Sequence, residues 1–598
     1  MSYLRAMTRW CRIVGMLGCA TPLLAHAACK LETLELPVTM VGTRATATVG
    51  INGTQVPMTV DSGAFFSMLT DAAAEQLKLP TRKNPSLRVE GISGRAETRV
   101  TKVDKVQLFK GDIPGVEFIV GGNEPGGGTM GLMGRNMLSV SDTEYDLAHG
   151  AIRFLFPNGD CAKLNMAYWE EGSSPVTEIE LVPDYRTKTP PIRAKVKLNG
   201  QEFVALFDTG ATTVISLRAA RRAGIADTDL KPAGFVYGVG RGRSDAWTTL
   251  FDKFKLGGEA IANNRMRVAD FDLGDADMLL GVDFFLSHRI YVSKQQSRLF
   301  ITYNGGPVFA LDRRQVASAG AAPVDVHGAA RADDAQATTA DQFARRGAAS
   351  AARREFDSAL ADLDKACELE PTSAAFFAQR GAIQQALRHP VKARADLDKA
   401  LELDPNQVDA RFGRVVLRSS AKDRDGTKAD LDALDRILPP QAQMRLPMST
   451  FYMAMEQPAL ALVQLDQWLP AHPNEIGRDA ALNTRCWARM LTGVDLDKAL
   501  NDCDDAVDSD AKNATYLDSR GWVYLRLGKY KKGLSDFDHS VEVRPKNAWA
   551  LYGRGLAKTK LGDGVQGDDD FAAARKVVPD IEVRLVRSGL IPEGVGKQ

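Results

Sequence analysis

Histidine and cysteine are scarce in this chain, seven of each in 598 residues. No CxxC pair, HExxH motif or histidine cluster occurs, so the spacings of zinc sites are missing and no metal is expected. An excess of charge is missing too. The 76 basic residues face 75 acidic ones, which leaves no electrostatic footprint for a nucleic acid. Gly238-Val239-Gly240-Arg241-Gly242 lacks the GxGxxG spacing and no helix context follows, so no nucleotide cofactor is expected. The longest apolar run near the N-terminus, Ile13 to Ala25, falls short of the about 20 residues a membrane span needs.

That run has another reading. Arg5, Arg9 and Arg12 precede it and Ala25-His26-Ala27 follows as an A-x-A cleavage site, so residues 1–27 are expected to be a signal peptide. The mature chain is then periplasmic or secreted. Lipid attachment at Cys29 is the minor alternative, against which stands His26, where such sites carry Leu. Cys11 and Cys19 leave with the signal. Cys29 and Cys161 bracket the first β-rich region, where an oxidising compartment allows a disulfide; two separate buried thiols are the other possibility. Cys367, Cys486 and Cys503 fall at helical positions and are expected as core residues.

What is present is a duplication. Val60-Asp61-Ser62-Gly63-Ala64 and Phe207-Asp208-Thr209-Gly210-Ala211 lie 147 residues apart (208 − 61). Asn52-Gly53 and Asn199-Gly200 keep that offset, as do Glu90-Gly91-Ile92 and Tyr237-Gly238-Val239, and the triplets Leu132-Met133-Gly134 and Leu279-Leu280-Gly281. Each copy alternates apolar and polar residues in short runs and is read as β-rich, with one short helix at Asp71–Leu77 or Leu217–Ala223.

A duplicated Asp-Ser/Thr-Gly unit resembles the aspartic peptidases of the small retropepsin-like type, here with two lobes in one chain. The resemblance covers about residues 33–304. It implies catalysis by Asp61 and Asp208, which share one proton because neighbouring carboxylates cannot both ionise. It further implies that Gly63 and Gly210 allow the tight turn and that Ser62 and Thr209 bond across the two loops. The triplets are implied to thread beside those loops. Gly91 and Ile92, with Tyr237, Gly238 and Val239, are implied to lie on two flaps that close on an extended peptide. Ala64 and Ala211 stand where pepsins carry Ser or Thr, which argues against a strongly acidic optimum.

A second period follows a segment of small residues at 307–340 that reads as a flexible linker. Pro371, Pro405, Pro439 and Pro473 are 34 apart, as are Pro545 and Pro579. Arg346-Gly347, Arg380-Gly381, Arg520-Gly521 and Arg554-Gly555 keep the frame. The pattern resembles tetratricopeptide repeats, seven across about 340–579, with the third unit, Arg411–Pro439, departing most. Charged positions such as Asp362, Asp364, Lys365 and Asp502 are expected on a solvated face.

The fold expected is therefore multidomain: a signal peptide (1–27), β lobes at 28–165 and 166–306, a linker at 307–340, and an all-α solenoid with a C-terminal cap at 341–598. The function expected is an exported aspartic endopeptidase whose repeats bind a protein partner. The alternative is an inactive peptidase-fold scaffold whose repeats do the work.

Overall fold

The computed structural model describes residues 29–84, 89–91, 94–96, 98–109, 111–122, 128–170, 175–238, 242–272, 274–309 and 337–592. The expected signal peptide lies outside these residues. So do residues 310–336 of the expected linker.

The two β-rich copies share one sheet and each builds another. The shared sheet runs, in spatial order, Lys30–Pro37, Ala151–Asn158, Asp142–Asp146, His288–Ser293, Arg298–Tyr303, Thr177–Glu180. Three strands come from each copy, and all neighbours are antiparallel. The central seam pairs Thr143 with Val292 and Tyr145 with Ile290, so the copies are joined by backbone bonds as well as packing.

Each copy's own sheet follows its alternation. Arg193–Leu198 and Gln201–Phe207 bury every second side chain, as strands with one wet face do. In the first lobe, Arg44–Ile51 pairs with both Thr54–Val60 and Thr98–Leu108, which curls the sheet towards a barrel. In the second, Arg193–Leu198 makes the equivalent pairings with Gln201–Phe207 and Ser244–Leu256. The short helices are found at Asp71–Gln76 and Leu217–Arg222. Each begins at a hydroxyl N-cap, Thr70 or Ser216, that accepts from a backbone N–H of the first turn.

Beyond Ala340 the chain is helical. Fourteen helices, from Ala340–Ala352 to Gly564–Val577, pair as seven repeats, and Ile581–Arg587 covers the last one with buried Ile581 and Leu585. The repeat glycines mark close helix contacts: a Cβ at Gly381 would come within 2.9 Å of Leu397, and one at Gly521 within 2.7 Å of Phe537. The first helices of repeats one to three pack on one another, and so do those of repeats five to seven, which gives two runs of one layer on either side of the fourth repeat. No helix among the described residues is long and apolar enough to cross a membrane.

Four expectations need correction here. The charged helix positions are not simply a solvated face. In six repeats an arginine on the first helix grips a largely buried aspartate on the second at 2.5–2.8 Å: Arg346–Asp362, Arg380–Asp396, Arg414–Asp430, Arg485–Asp502, Arg520–Asp536 and Arg554–Asp570. The same arginines reach back to the preceding repeat, as Arg380 does to Asp364 (2.8 Å) and Arg520 to Asp504 (3.0 Å). Planar guanidinium groups suit this double role because they present donors in several directions at once. Secondly, the ladder passes intact through the third repeat and breaks in the fourth. There Met448 and Gln464 replace the pair, and Arg445 bonds Gln464 and Asp435 instead.

Thirdly, Cys367, Cys486 and Cys503 are core residues as expected, but Cys486 and Cys503 are also joined as a disulfide between the two helices of the fifth repeat, while Cys367 is free. Cys29 and Cys161, whose pairing the sequence left open, form a disulfide too. Finally, the linker does not leave the two halves unattached. Val308 and Phe309 are buried with the β core, the Phe309 ring standing edge-on to Phe254 at 5.2 Å. Ala349 of the first repeat helix belongs to that same core, and Arg353 donates to the Leu286 carbonyl at 3.0 Å. Farther along, Asn474 donates to Asp71 (3.2 Å) and Arg243 pairs with Asp510 (3.4 Å). Small residues mislead here because alanine, poor as a linker's core, packs well once a helix forms.

Asp536→Ala is expected to lower the stability of the array by about 3 kcal/mol, since it leaves Arg520 without its buried partner. A urea titration followed by far-ultraviolet circular dichroism checks this, with the more exposed Asp504→Ala expected to cost less than about 1 kcal/mol.

Candidate active site

The site lies where the two copies meet, and the local chain path explains why Asp and Gly are there. Thr54–Val60 ends at Asp61, and the strand Gly131–Met133 runs parallel beside it, with the Asp61 N–H donating to the Met133 carbonyl at 3.0 Å. Gln201–Phe207, Asp208 and Met278–Leu280 repeat the arrangement, the Asp208 N–H reaching Leu280 at 2.9 Å. The triplets thus thread beside the two Asp loops. Each ends in a glycine because the loop presses on it: a Cβ at Gly134 would sit 2.6 Å from the Phe66 backbone.

Across the axis the loops interlock. The Ser62 N–H donates to Thr209 Oγ1 at 3.0 Å and the Thr209 N–H to Ser62 Oγ at 3.0 Å. Each hydroxyl then passes its own proton to the strand opposite, Ser62 to the Phe207 carbonyl (2.9 Å) and Thr209 to the Val60 carbonyl (2.8 Å). Both residues are fully buried, so these four bonds have no water to compete with them.

This interlock brings the two carboxyls together. Each lies against the other copy's glycine, so that a Cβ on Gly63 would fall 2.5 Å from Asp208 Cγ. A backbone N–H holds one oxygen of each: Ala64 donates to Asp61 Oδ1 at 2.7 Å and Gly210 to Asp208 Oδ1 at 2.8 Å. The two carboxyls are within hydrogen-bonding reach of each other. Burial, then the charge of Asp61, pushes the Asp208 carboxyl well above its ordinary value. Burial raises Asp61 as well, opposed by the Ala64 N–H, the Asp208 carboxyl, the Gly63 N–H and Arg44. The pair therefore keeps one proton into a pH range where a lone carboxyl has lost it.

Of the remaining expected site residues, Gly91, Tyr237 and Gly238 are described, and they lie at two hairpins. Gly91 ends the strand Val89–Gly91, which pairs with Gly94–Ala96 as a separate two-stranded sheet; Ile92 lies outside the described residues. In the second copy Val236 pairs with Ser244. Beyond it Tyr237 is exposed and Gly238 half-buried, and Val239 is outside the described residues. Beneath these hairpins are two apolar clusters, Met68, Val89, Ile119 and Leu132 in one copy and Val214, Ala246, Ala269 and Leu279 in the other.

Sequence reasoning missed the residues that brace the loops. Asn136 Oδ1 accepts from the Ser67 N–H (2.7 Å) and hydroxyl (2.8 Å), and Asp283 Oδ1 accepts from the same groups of Thr213, both at 2.8 Å. They were findable, since each follows its triplet glycine by two residues and they share the 147 offset. Arg44 and Arg135 were also missed. Arg44 donates to the Gly210 carbonyl of the opposite copy, and both cations feel the charges of Asp61 and Asp208. A contact between copies leaves no mark in local spacing.

Comparisons with known proteins agree with this construction. Residues 47–140 match the family described as gag-polyprotein putative aspartyl protease, and residues 194–284 match the family described as aspartyl protease. No curated protein matches the chain. Among solved structures, a tetratricopeptide repeat protein from Parabacteroides merdae is 15% identical with a TM-score of 0.30, covering 42% of this chain and 98% of its own. YrrB, described as a TPR protein with an unusual peptide-binding site, is 18% identical at a TM-score of 0.24, covering 38% and 97%. At these scores the likenesses add nothing to the repeats already visible as seven helix pairs.

Ser62→Ala and Thr209→Ala should each destabilise the β half by about 1–3 kcal/mol, because each strands a buried N–H of the other loop. Thr209→Ser keeps the hydroxyl and should cost less; thermal melting of the three variants checks the order. The chain's N-terminal half carries two aspartyl protease family domains, and a tetratricopeptide repeat array follows them.

Proposed function

We propose that this chain is an exported aspartic endopeptidase that uses Asp61 and Asp208 with a water molecule, and that its repeat array holds a segment of a protein substrate or partner. The observation that carries this reading is the pair of half-buried carboxyls that the interlocked loops hold against each other, a pair that keeps one proton between them. In the monoprotonated pair, the ionised member takes a proton from water as the water oxygen bonds to the scissile carbonyl carbon. The protonated member gives its proton to the carbonyl oxygen, and a gem-diol results. On collapse, one hydroxyl proton returns to the carboxylate that had donated, and the proton taken from water passes to the leaving nitrogen. The C–N bond breaks, releasing an acid and an amine, and the pair ends as it began.

Two disulfides, one in each half of the chain, support export, since such bonds persist in oxidising compartments. The apolar clusters beneath both hairpins support an extended peptide with apolar side chains as substrate. The stacked helix pairs of the seven repeats support binding of a protein segment, the usual use of such an array.

The mature chain, Asp61→Asn and Asp208→Asn are to be incubated with a diverse peptide mixture over about pH 4–7. Both variants should lose at least about a thousandfold in cleavage while melting near the wild type. An amide resembles a carboxyl in size but cannot complete the proton exchange. Wild-type cleavage should follow a bell. Activity falls at low pH as the ionised member is protonated, and at high pH as the pair loses its shared proton. Because both carboxyls are raised, both limbs should lie above those of an unperturbed carboxylate. Equal cleavage by all three proteins, or none by the wild type, would sink this reading and favour the inactive scaffold.

A further inference from the structure

We infer that Arg44, reinforced by Arg135, breaks the symmetry of the duplicated site, so that Asp61 is the ionised member that activates water and Asp208 the protonated member that donates to the carbonyl. The inference rests on the peptidase reading and adds the assignment of roles.

The backbone of the site is close to twofold symmetric. The cross-lobe bonds match in pairs. A fully symmetric site would leave the shared proton equally placed on either aspartate. The copies differ in the backbone donor to each carboxyl, Ala64 for Asp61 but Gly210 for Asp208, and they differ in charge. Arg44 opens the strand Arg44–Ile51, and the position 147 residues later is Pro191. Arg135 opens the helix Arg135–Leu138, and its counterpart is Val282. Both cations near the paired carboxyls therefore come from the first copy, and the second supplies a neutral residue at each place.

Their settings fit an electrostatic role. Arg44 is tied by Nη1 to the Gly210 carbonyl, one residue past Thr209, which fixes its guanidinium at the junction of the loops. Arg135 is 7% exposed, and its Nε and Nη1 have no hydrogen-bond partner among the described atoms. Asp61 and Asp208 attract it, as does Asp184, while Arg193 opposes it. The Tyr145 hydroxyl also faces this region, and burial keeps it neutral. The Gly210 whose carbonyl Arg44 holds is packed on Asp61, where a Cβ would fall 2.4 Å from Asp61 Cγ, so the guanidinium is tied to the loop that covers Asp61. Asp61 also accepts the Ala64 N–H, and of the two carboxyls Asp208 is the one pushed well above its ordinary value. A positive charge favours the ionised state of the carboxyl it faces, and the proton is left to the partner. Arg44 is thus a positioning residue: it sets which aspartate holds the proton and does not itself exchange one.

The test compares pH profiles of kcat/KM for wild type, Arg44→Gln and Arg44→Lys on one cleaved peptide. Removing the charge should raise the acid limb by about one pH unit, a roughly tenfold loss on that side of the bell. Lys should restore most of it, whereas a purely structural role would cost activity evenly at all pH values and in both variants. Superimposed profiles overturn the inference. Carbon-13 spectra of the wild type with labelled aspartate, assigned through Asp61→Asn and Asp208→Asn, give an answer even where Arg44→Gln fails to fold. Between the limbs, the Asp61 carboxyl should report ionised and the Asp208 carboxyl protonated; the reverse overturns the assignment. A wild type that cleaves nothing would instead defeat the peptidase reading, and the spectra would still locate the proton.

Discussion

Two carboxyls forced against each other cannot both carry charge, and the β half of this protein is arranged to keep them together. Left free, Asp61 and Asp208 would separate and ionise independently. The four buried bonds between Ser62, Thr209, Phe207 and Val60 prevent this, because parting the loops would leave two N–H groups and two hydroxyls without partners at once. The glycines beside each aspartate are demanded by the same closeness, and the shared six-stranded sheet holds the copies in register beneath.

That base sheet carries its own charged layer. Glu144 and Asp146 are fully buried on the central strands and are answered by Arg153 and Arg289, with His149 on Asp146 and the Tyr168 hydroxyl on Glu144. Asp146 is held far below the usual carboxylate range by these neighbours against the cost of its burial. A carboxyl depressed in this way stabilises the fold above its unfolded value and loses that contribution only as pH falls through its folded one. Asp146 therefore stays ionised at pH values where the paired aspartates share a proton.

The helical half obeys a different constraint. A repeat array has no single core, so its cohesion depends on each junction. Here the Arg–Asp ladder supplements apolar stacking, and a disulfide fastens the fifth repeat, directly after the one in which the ladder is broken. Ala349 and Arg353 then anchor the array to the β half, while Asn474 and Asp510 meet it again at Asp71 and Arg243, the latter beside the second hairpin. The array is packed on the β half rather than hung from it by a tether.

The sequence by itself determined the elements and their duplication. Asp61 and Asp208, the hydroxyls after them, the triplets and the 34-residue helix pairs were all legible, because a period or an offset survives in the order of residues. The cystines were half legible: Cys29 and Cys161 stood as a possible pair, while Cys486 and Cys503 read as core. Only the tertiary structure decided what meets across a boundary. Arg44 beside the opposite copy's Gly210, the aspartates of the array clasped by arginines, and an alanine helix sealing the β core are contacts between segments far apart in the chain. Spacing records the repeat of a pattern along one segment. It does not record which charged residue another segment will bury.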